Sequence, residues 1–470
     1  MKLHKLTALA AALMVAACSW AQDSKPKYIF YFIGDGMGPG PVMTAMDYSR
    51  YVKGHKDLLM TTFPVTGFAQ TWSASSPVTD SAAAGTALST GSKTRNGMLG
   101  MDADTLSVTS VARHLKDAGW GVGIVTNCAA DDATPGAFYA HQPNRSMYYE
   151  IGKDAASSGY DFIAGAGLRG LVDKKTGKPT DLYEVLEQNN VQVLHGAKGV
   201  KEVYTTTAKK IMLTNPVGYG DPSTLGYVID NEWADSIGMT LKGATAACLY
   251  HLEKNSPDRF FMMVEGGLID HALHGNDGAA VLHEVLDFDQ TLQIAFDFYK
   301  AHPQETLIVV TADHDTGGMA IGNTTLRYDA RFANLDHQKI SKTRFSDLCK
   351  AILKSRQAIT WDEMKEILTV NFGFWDTIKI TDKQTAKLRK KFDETFVKRD
   401  AQDEKGLYDN SNAFAAQVIK TFNDNAGLGY TSLSHTGNLV PVFAIGAGAQ
   451  SFGRILNNIE IPAIMRGLAL

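Results

Sequence analysis

Residues 28–36 read YIFYFIGDG, an unbroken apolar run that ends at a glycine, an aspartate and a second glycine. A continuous apolar run of this length is typical of a strand that is buried on both faces of a sheet. Helix-like stretches such as residues 108–118 separate it from later runs, so the sequence predicts an α/β fold, with a mainly parallel central sheet sandwiched between helices. The similar runs are residues 120–126, 260–264, 307–311 and 440–445.

The composition limits the class of protein. The chain has 470 residues, of which 44% are hydrophobic and 20% charged, as expected for a globular protein with a large core. Its 46 basic and 50 acidic residues give a net charge of −4. Because there is no excess of positive charge to neutralise a phosphate backbone, we expect no nucleic-acid partner.

The first 21 residues are interpreted as a signal peptide. Lys2 and Lys5 precede an apolar run, residues 6–17, that is too short to span a bilayer. The alternative is a lipoprotein signal that ends before Cys18, which would then be acylated. Both interpretations predict an exported protein of the periplasm or cell envelope, which is anchored to a membrane only if Cys18 is lipidated and is otherwise secreted.

Three further cysteines, Cys128, Cys248 and Cys349, are widely spaced and form no Cys-x-x-Cys pair. This spacing gives no support to a thiolate zinc site, and we expect buried structural thiols.

Residues 325–430 differ from the rest of the chain. Stretches at 346–356, 361–368 and 381–399 are charged and helical in pattern, and we interpret the segment as a helical insertion before the last strand. Its basic stretch is read as a solvated helix face, with a partner-binding patch as the alternative. The insertion either decorates the surface, covers the mouth of a site or enlarges a dimer interface.

Side chains that can bind a metal ion follow the predicted strands. Each has an ordinary interpretation, as a turn residue, a helix cap or a buried polar group. Parallel strands, however, bring their carboxyl ends to one edge of a sheet, which is the usual place for a ligand. The set consists of Asp35, Glu265, Asp270, His274, Asp313, His314 and His435.

Oxygen and nitrogen ligands without thiolates suit catalytic zinc or a harder divalent ion. Asp270 and His274 are four residues apart and would share one face of a helix. Ser81 stands at the start of an alanine-rich helix, where it is either a simple cap or a group placed for phosphate binding. A serine among two-metal ligands predicts phosphoryl transfer.

The motifs that carry these residues resemble those of the alkaline phosphatase family, in the family's order and from about residue 28 to 450. They are GDGMG at 34–38, TDSA at 79–82, DATP at 132–135, EGGLID at 265–270, TADH at 311–314 and SHTG at 434–437. The resemblance implies one catalytic domain over residues 22–470, small phosphomonoester substrates and a homodimer.

The same resemblance implies a role for each site residue. Ser81 would be the nucleophile that forms a phosphoserine, and Arg145 would grip the phosphate. Asp132 and His271 would lie on the substrate side, at positions that vary in the family and leave the third ion in doubt. Two zinc ions and one magnesium ion are implied, the first zinc on Asp35, Asp313 and His314, the second on Asp270, His274 and His435, and the magnesium on Asp35, Glu265 and Thr134.

Other functions remain open at this point. A sulfatase would need a Cys/Ser-x-Pro-x-Arg motif, and Ser81 is followed instead by AAAG. A phosphodiesterase of the same superfamily is one alternative, although such enzymes usually use threonine and Arg145 favours monoesters. A non-catalytic envelope protein that binds phosphate or metal is the other, although a binder needs no nucleophile.

Overall fold

A computed structural model describes residues 25–54, 57–230, 236–355, 358–407 and 410–470. The predicted signal peptide and Cys18 lie outside these residues, so their assignment stays a prediction.

The described chain contains one large sheet and three small two-stranded ladders. In chain order the strands are β1 (Tyr28–Gly34), β2 (Val65–Gln70), β3 (Gly121–Thr126), β4 (Phe162–Ala164), β5 (Gln192–His195), β6 (Ile211–Thr214), β7 (Phe260–Gly266), β8 (Thr306–Ala312), β9 (Asp315–Thr316), β10 (Ala320–Ile321), β11 (Glu404–Lys405), β12 (Asn410–Ser411), β13 (Leu428–Gly429), β14 (His435–Thr436), β15 (Val440–Gly446) and β16 (Ile455–Asn457).

The large sheet has ten strands in the order β16-β2-β15-β8-β1-β7-β3-β4-β6-β5. All pairs are parallel except those of β15, which is antiparallel to both β8 and β2. The prediction of a mainly parallel central sheet is therefore confirmed. The predicted last strand, residues 440–445, is not the last, because β16 follows it and pairs in parallel with β2.

Helices cover the sheet, and several begin at side chains that cap their free N–H groups. They are α1 (Pro39–Tyr51), α2 (Ser81–Thr90), α3 (Val111–Asp117), α4 (Ala133–Gly136), α5 (Tyr148–Ser157), α6 (Leu182–Gln188), α7 (Gly196–Val203), α8 (Leu241–Asn255), α9 (Leu268–His274), α10 (Gly278–Ala301), α11 (Lys342–Ser355), α12 (Trp361–Phe372), α13 (Asp382–Phe392), α14 (Ala413–Ala426) and α15 (Glu460–Ala469).

The core lies on both faces of the central strands, as their apolar runs predict. All seven residues of β1, of β7 and of β8 are buried. Phe30 packs edge to face against Phe260 at 5.5 Å and against Phe298 of α10 at 5.4 Å. Because each such side chain stabilises the fold by about 1.5–3 kcal/mol on burial, these central strands form a rigid base for the residues that follow them.

The segment 325–430 is mainly helical, with α11, α12 and α13 close to the three predicted stretches. α14 was not predicted. The stretch predicted as one helix over 381–399 is divided, because α13 ends at Phe392 and a π-helical turn, Asp393–Lys398, follows it. The Phe392 ring packs on Phe414 of α14 at 6.0 Å, so this segment has its own aromatic contacts. Its interpretation as an insertion stays a prediction.

Cys128, Cys248 and Cys349 are free and buried, as expected for structural thiols. Within the described residues, none of the helices combines the length and the apolar composition needed to cross a bilayer.

Candidate active site

Three strand ends meet at one edge of the sheet. β1, β7 and β8 lie side by side, with Ile33 opposite both Glu265 and Thr311. Asp35 directly follows β1, and Asp313 directly follows β8. Since the strands are parallel and in register, their backbone alone brings these carboxylates together.

A tight turn after β1 holds Asp35 in place. Gly36 has φ +68°, a conformation that side chains rarely adopt, and a Cβ there would lie 2.7 Å from Oδ1 of Asp270. Its backbone N–H donates to Oδ1 of Asp313 at 3.0 Å. The glycine therefore allows the first strand end to approach the carboxylates of the other two.

The first cluster consists of Asp35, Asp313 and His314, all buried. Nε2 of His314 lies 3.3 Å from Oδ1 of Asp35 and 3.1 Å from Oδ2 of Asp313. Neither of these two carboxylate oxygens accepts a hydrogen bond from the described residues. Burial, and then the neighbouring Asp313, raise the pKa of Asp35 well above its ordinary value. A cation would relieve this repulsion.

The second cluster consists of Asp270 and His274, four residues apart on α9, and of His435 on β14. Nε2 of His274 lies 3.4 Å from Oδ2 of Asp270, and Nε2 of His435 lies 3.7 Å from its Oδ1. The geometry also places His314 within reach of this cluster, since its ring stacks on that of His435 at 3.6 Å.

The backbone fixes which nitrogen of two histidines faces the site. Nδ1 of His274 lies 2.6 Å from the carbonyl oxygen of Leu433, and Nδ1 of His435 lies 2.8 Å from that of Thr79. A carbonyl only accepts, so both Nδ1 atoms carry the proton. The two Nε2 atoms then face each other across 3.0 Å, so they share either a proton or a bound cation.

Thr316 imposes the same tautomer on His314. Its hydroxyl donates to Oδ1 of Asp270 and so accepts from Nδ1 of His314, 3.2 Å away. Nε2 of His314 therefore faces the first cluster, where it binds either a proton or a metal ion. Burial opposes protonation of His314, but the charge of Asp313 outweighs it and raises the pKa of the imidazole. These donor sets fit two zinc ions.

Glu265 forms a third, all-oxygen group. Thr126 donates a hydrogen bond to its Oε2, and the hydroxyl of Thr134 faces it without a hydrogen bond of good geometry. Burial raises the pKa of Glu265 to about 8. Oxygen ligands of this kind fit magnesium, which prefers carboxylates and hydroxyls.

Ser81 is the first residue of α2 and is buried beside the first cluster. Asp80 caps the helix by accepting from the N–H of Ala83 at 3.0 Å. Oγ of Ser81 lies 3.3 Å from Nε2 of His314. The cap and the free N–H groups of the first turn together place this hydroxyl at an anion-binding end of a helix.

Arg145 lies between two carboxylates. Its guanidinium is 3.4 Å from Oδ2 of Asp80 and 3.4 Å from Oδ1 of Asp132. Burial alone would raise the pKa of Asp132, but the charges of Arg145 and Arg169 lower it below its ordinary value. The arginine fork is thus held in one orientation near Ser81, which shares a helix start with Asp80.

His271, predicted on the substrate side, lies on α9 with its Nε2 3.9 Å from the thiol of Cys128. Burial lowers the pKa of this histidine, so it is neutral near pH 7. A neutral His271 cannot form an ion pair with Asp132, and the cations that pair with this carboxylate in the described structure are Arg145 and Arg169.

Several residues of the site carry no sequence signal that assigns them a role. Asp80 lies in the TDSA motif without a predicted role of its own, and Thr126 and Thr316 belong to no site motif. Arg169 is positioned by hydrogen bonds between distant parts of the chain, because its backbone N–H and that of Gly170 donate to the buried carboxylate of Asp131. No sequence motif predicts this contact.

Comparison with known proteins gives consistent matches. A family model described as alkaline phosphatase matches residues 26–470. The chain is 31% identical over 388 residues to alkaline phosphatase 4 of Bacillus subtilis, a match that covers 82% of this chain and 75% of that protein. The structure is similar to that of a cold-active alkaline phosphatase from the psychrophile Shewanella sp., with a TM-score of 0.76, 26% identity, and coverage of 94% of this chain and 99% of the other.

A mutant of alkaline phosphatase from the Antarctic bacterium TAB5, solved with Mg bound in its M3 site, shares the fold with a TM-score of 0.65 and 24% identity. The match covers 95% of this chain and 98% of the mutant.

Proposed function

Because this chain belongs to the alkaline phosphatase family and is a phosphomonoester hydrolase, we propose that it works through a phosphoserine at Ser81, with two zinc ions and one magnesium ion. The observation that carries the proposal is the position of the Ser81 hydroxyl, 3.3 Å from Nε2 of His314 and beside carboxylate oxygens that accept no hydrogen bond from the described residues.

Two zinc sites would use the two clusters. Asp35, Asp313 and His314 would hold the zinc beside Ser81, and Asp270, His274 and His435 would hold the other. Bound zinc supplies Lewis acidity, which lowers the pKa of a hydroxyl or water and stabilises a leaving oxygen. The chain supports this assignment with carboxylate oxygens in both clusters that have no hydrogen bond within the described residues, and with three histidines whose Nε2 atoms face inward.

A magnesium ion would use Asp35, Glu265 and Thr134. The Thr134 hydroxyl has no hydrogen-bond partner among the described residues and the pKa of Glu265 is high, and both features fit a site that binds a cation. Magnesium is bound in the TAB5 mutant of the same fold. With Asp132 paired to two arginines and His271 neutral, the charge on the substrate side is set by Arg145 and Arg169.

In the reaction, the chain's own groups orient the phosphate beside Ser81 and neutralise its negative charge. The Ser81 oxygen loses its proton and attacks phosphorus, and the bond to the alcohol oxygen breaks as that oxygen takes up a proton. Water then attacks the phosphoserine, which releases phosphate and restores the Ser81 hydroxyl. Arg145 binds two equatorial oxygens through its planar fork, which Asp80 and Asp132 hold in place. The free N–H groups at the start of α2 add to the positive field.

A phosphodiesterase is the second candidate within this fold. A monoester presents more charge to Arg145 than a diester, and the paired orientation of that arginine favours the monoester. A non-catalytic binding protein would have no use for the buried Ser81.

One experiment separates the three functions. Phosphate release is measured from a panel of phosphomonoesters and from a matched diester, with zinc and magnesium supplied. We expect release from the monoesters and slower cleavage of the diester. Preference for the diester would support the second candidate, and binding of phosphate without turnover would support the third.

We further propose that the chain is exported and forms a homodimer. Support comes from the apolar run after Lys2 and Lys5 and from the family resemblance. N-terminal mass spectrometry of the protein from fractionated cells distinguishes cleavage after residue 21 from acylation at Cys18, and light scattering gives the oligomeric state.

A further inference from the structure

A polar cavity of about 270 Å³ begins beside the second cluster, at His271 and His274 of α9. Arg169 lines it, and its wall reaches Lys342 and Glu404 of the 325–430 segment. His274 belongs to the second cluster, and the first cluster is the one beside Ser81. Zinc in the second cluster would therefore stabilise the leaving oxygen, which puts the cavity on the side of the alcohol part of a substrate. It has room for a leaving group of several non-hydrogen atoms.

Most charges in this cavity already have partners. Nζ of Lys342 forms an ion pair with Glu404 and donates to the carbonyl oxygen of Gly275 at 2.9 Å. Asp277 accepts from the N–H of Lys342 at 2.6 Å and from the side chain of Gln338 at 2.7 Å. Lys342 and Glu404 neutralise each other, and Asp277 already accepts hydrogen bonds at both oxygens, so these groups offer little to a ligand.

The guanidinium of Arg169 is different. Its nearest carboxylate oxygen, Oδ2 of Asp132, is 4.0 Å away, and Asp132 is already shared with Arg145 at 3.4 Å. Among the described residues, its N–H groups have no hydrogen-bond acceptor. Its central carbon lies over the ring of Tyr148, 4.0 Å from the ring centre, and the Arg169 side chain is 29% exposed.

A guanidinium fixed on an aromatic ring, partly buried and with its donors unused is suited to bind an anion through two parallel hydrogen bonds. We propose that this cavity receives the leaving group and that Arg169 makes the enzyme prefer phosphomonoesters whose alcohol carries a carboxylate or a second phosphate. The proposal rests on the phosphomonoesterase activity proposed above and adds the substrate class.

The test compares 3-phosphoglycerate with glycerol 3-phosphate, which have similar leaving groups with and without a carboxylate. The ratio of their kcat/KM values is measured in the wild type, in Arg169→Gln and in Arg169→Lys. We expect the ratio to favour 3-phosphoglycerate in the wild type and to fall about tenfold in Arg169→Gln, since a charge-assisted pair is lost. Arg169→Lys should recover part of it.

Arg454→Gln is the matched control, because Arg454 is an exposed arginine paired with Glu460. Its ratio should equal that of the wild type. Equal losses on both substrates in Arg169→Gln would overturn the proposal, because they would mean that Arg169 acts only through Asp132 on Arg145.

Calorimetry provides a readout without turnover. The affinity of 3-phosphoglycerate and of glycerol 3-phosphate is measured for Ser81→Ala, with and without Arg169→Gln. Loss of the preference only in the double variant supports the proposal, and an unchanged preference overturns it. Absence of phosphate release from every substrate in the wild type would instead contradict the proposed function, and the calorimetric preference would still decide the role of Arg169.

Discussion

The two charged regions around Ser81 are built in opposite ways. Around Arg145 the charges are balanced within the chain, since Asp80 and Asp132 each lie 3.4 Å from its guanidinium and Arg169 lies 4.0 Å from Asp132. Among the strand-end carboxylates, Asp35, Asp270 and Asp313 are buried with at least one oxygen that has no hydrogen-bond partner in the described residues. Their ion pairs within the described residues are with histidines alone, without an arginine or lysine.

Buried carboxylates without partners are unfavourable, so a chain keeps them only where something else neutralises them. The arginine region therefore needs no added ion to hold its shape, while the strand-end region does. Removal of bound ions should therefore disturb the strand-end region, whereas the arginine region should respond to substitution of its own charged residues.

The largest effect should come from chelation. Exhaustive treatment with a chelator should reduce phosphate release below detection and lower Tm, because repulsion among the strand-end carboxylates returns. Zinc together with magnesium should restore both. Activity and thermal unfolding are measured on the same samples, and full turnover without metal would contradict the proposed zinc sites.

Ser81→Ala should come next. The variant should fold and keep its metals, since an alanine fits the first turn of α2, but phosphate release should fall by about 10³-fold or more without the nucleophile. Acid quenching of the wild type with labelled substrate should leave the label on Ser81. Label on any other residue would refute this nucleophile.

Arg145→Ala should have an intermediate effect. Charge-assisted hydrogen bonds contribute about 1.5–3 kcal/mol each, so kcat/KM for a monoester should fall by about 10- to 100-fold. Inhibition by inorganic phosphate should weaken in parallel, and diester cleavage should fall by less. Arg145→Lys should recover only part, because it keeps the charge and loses the fork. Equal losses on monoester and diester would show that Arg145 does not read the phosphate charge.

The smallest effect should come from Asp132→Asn, for which Asp35→Asn is the matched control. An asparagine still caps α4, but the Arg145 guanidinium loses the ion pair that helps to orient its fork. Inhibition by phosphate should therefore weaken by about three- to tenfold. Its zinc content should equal that of the wild type. Asp35→Asn should lose bound zinc, and elemental analysis that showed equal zinc in both variants would remove the distinction between the two regions.

Sequence alone predicts the long buried strands of this fold well and the short or half-exposed strands poorly. β1, β7 and β8 are long apolar runs, which few other structures explain. β2 alternates buried and exposed residues, and β4, β5 and β6 have only three or four residues each, so neither group forms a run that stands out. The antiparallel direction of β15 depends on the path of the chain and has no local signal.

The candidate site divides in the same way. Asp35, Asp313 and His314 follow strands, so the parallel sheet brings them together once its existence is predicted. Arg169 could not be found in this way, because its position depends on backbone hydrogen bonds to Asp131 and on stacking over Tyr148. Contacts between distant loops leave no periodic trace in the sequence.

The two-residue ladder between β9 and β14 has a consequence for the order of synthesis. His435 reaches the site only because Thr436 pairs with Asp315, and His435 itself pairs with Thr316. A ribosome-bound chain that has not yet been made past this point has the sheet strands β1 to β8 but lacks the imidazole of His435. Synthesis must therefore pass residue 436 before both clusters can form, and under the proposed mechanism a product terminated before residue 435 would be inactive.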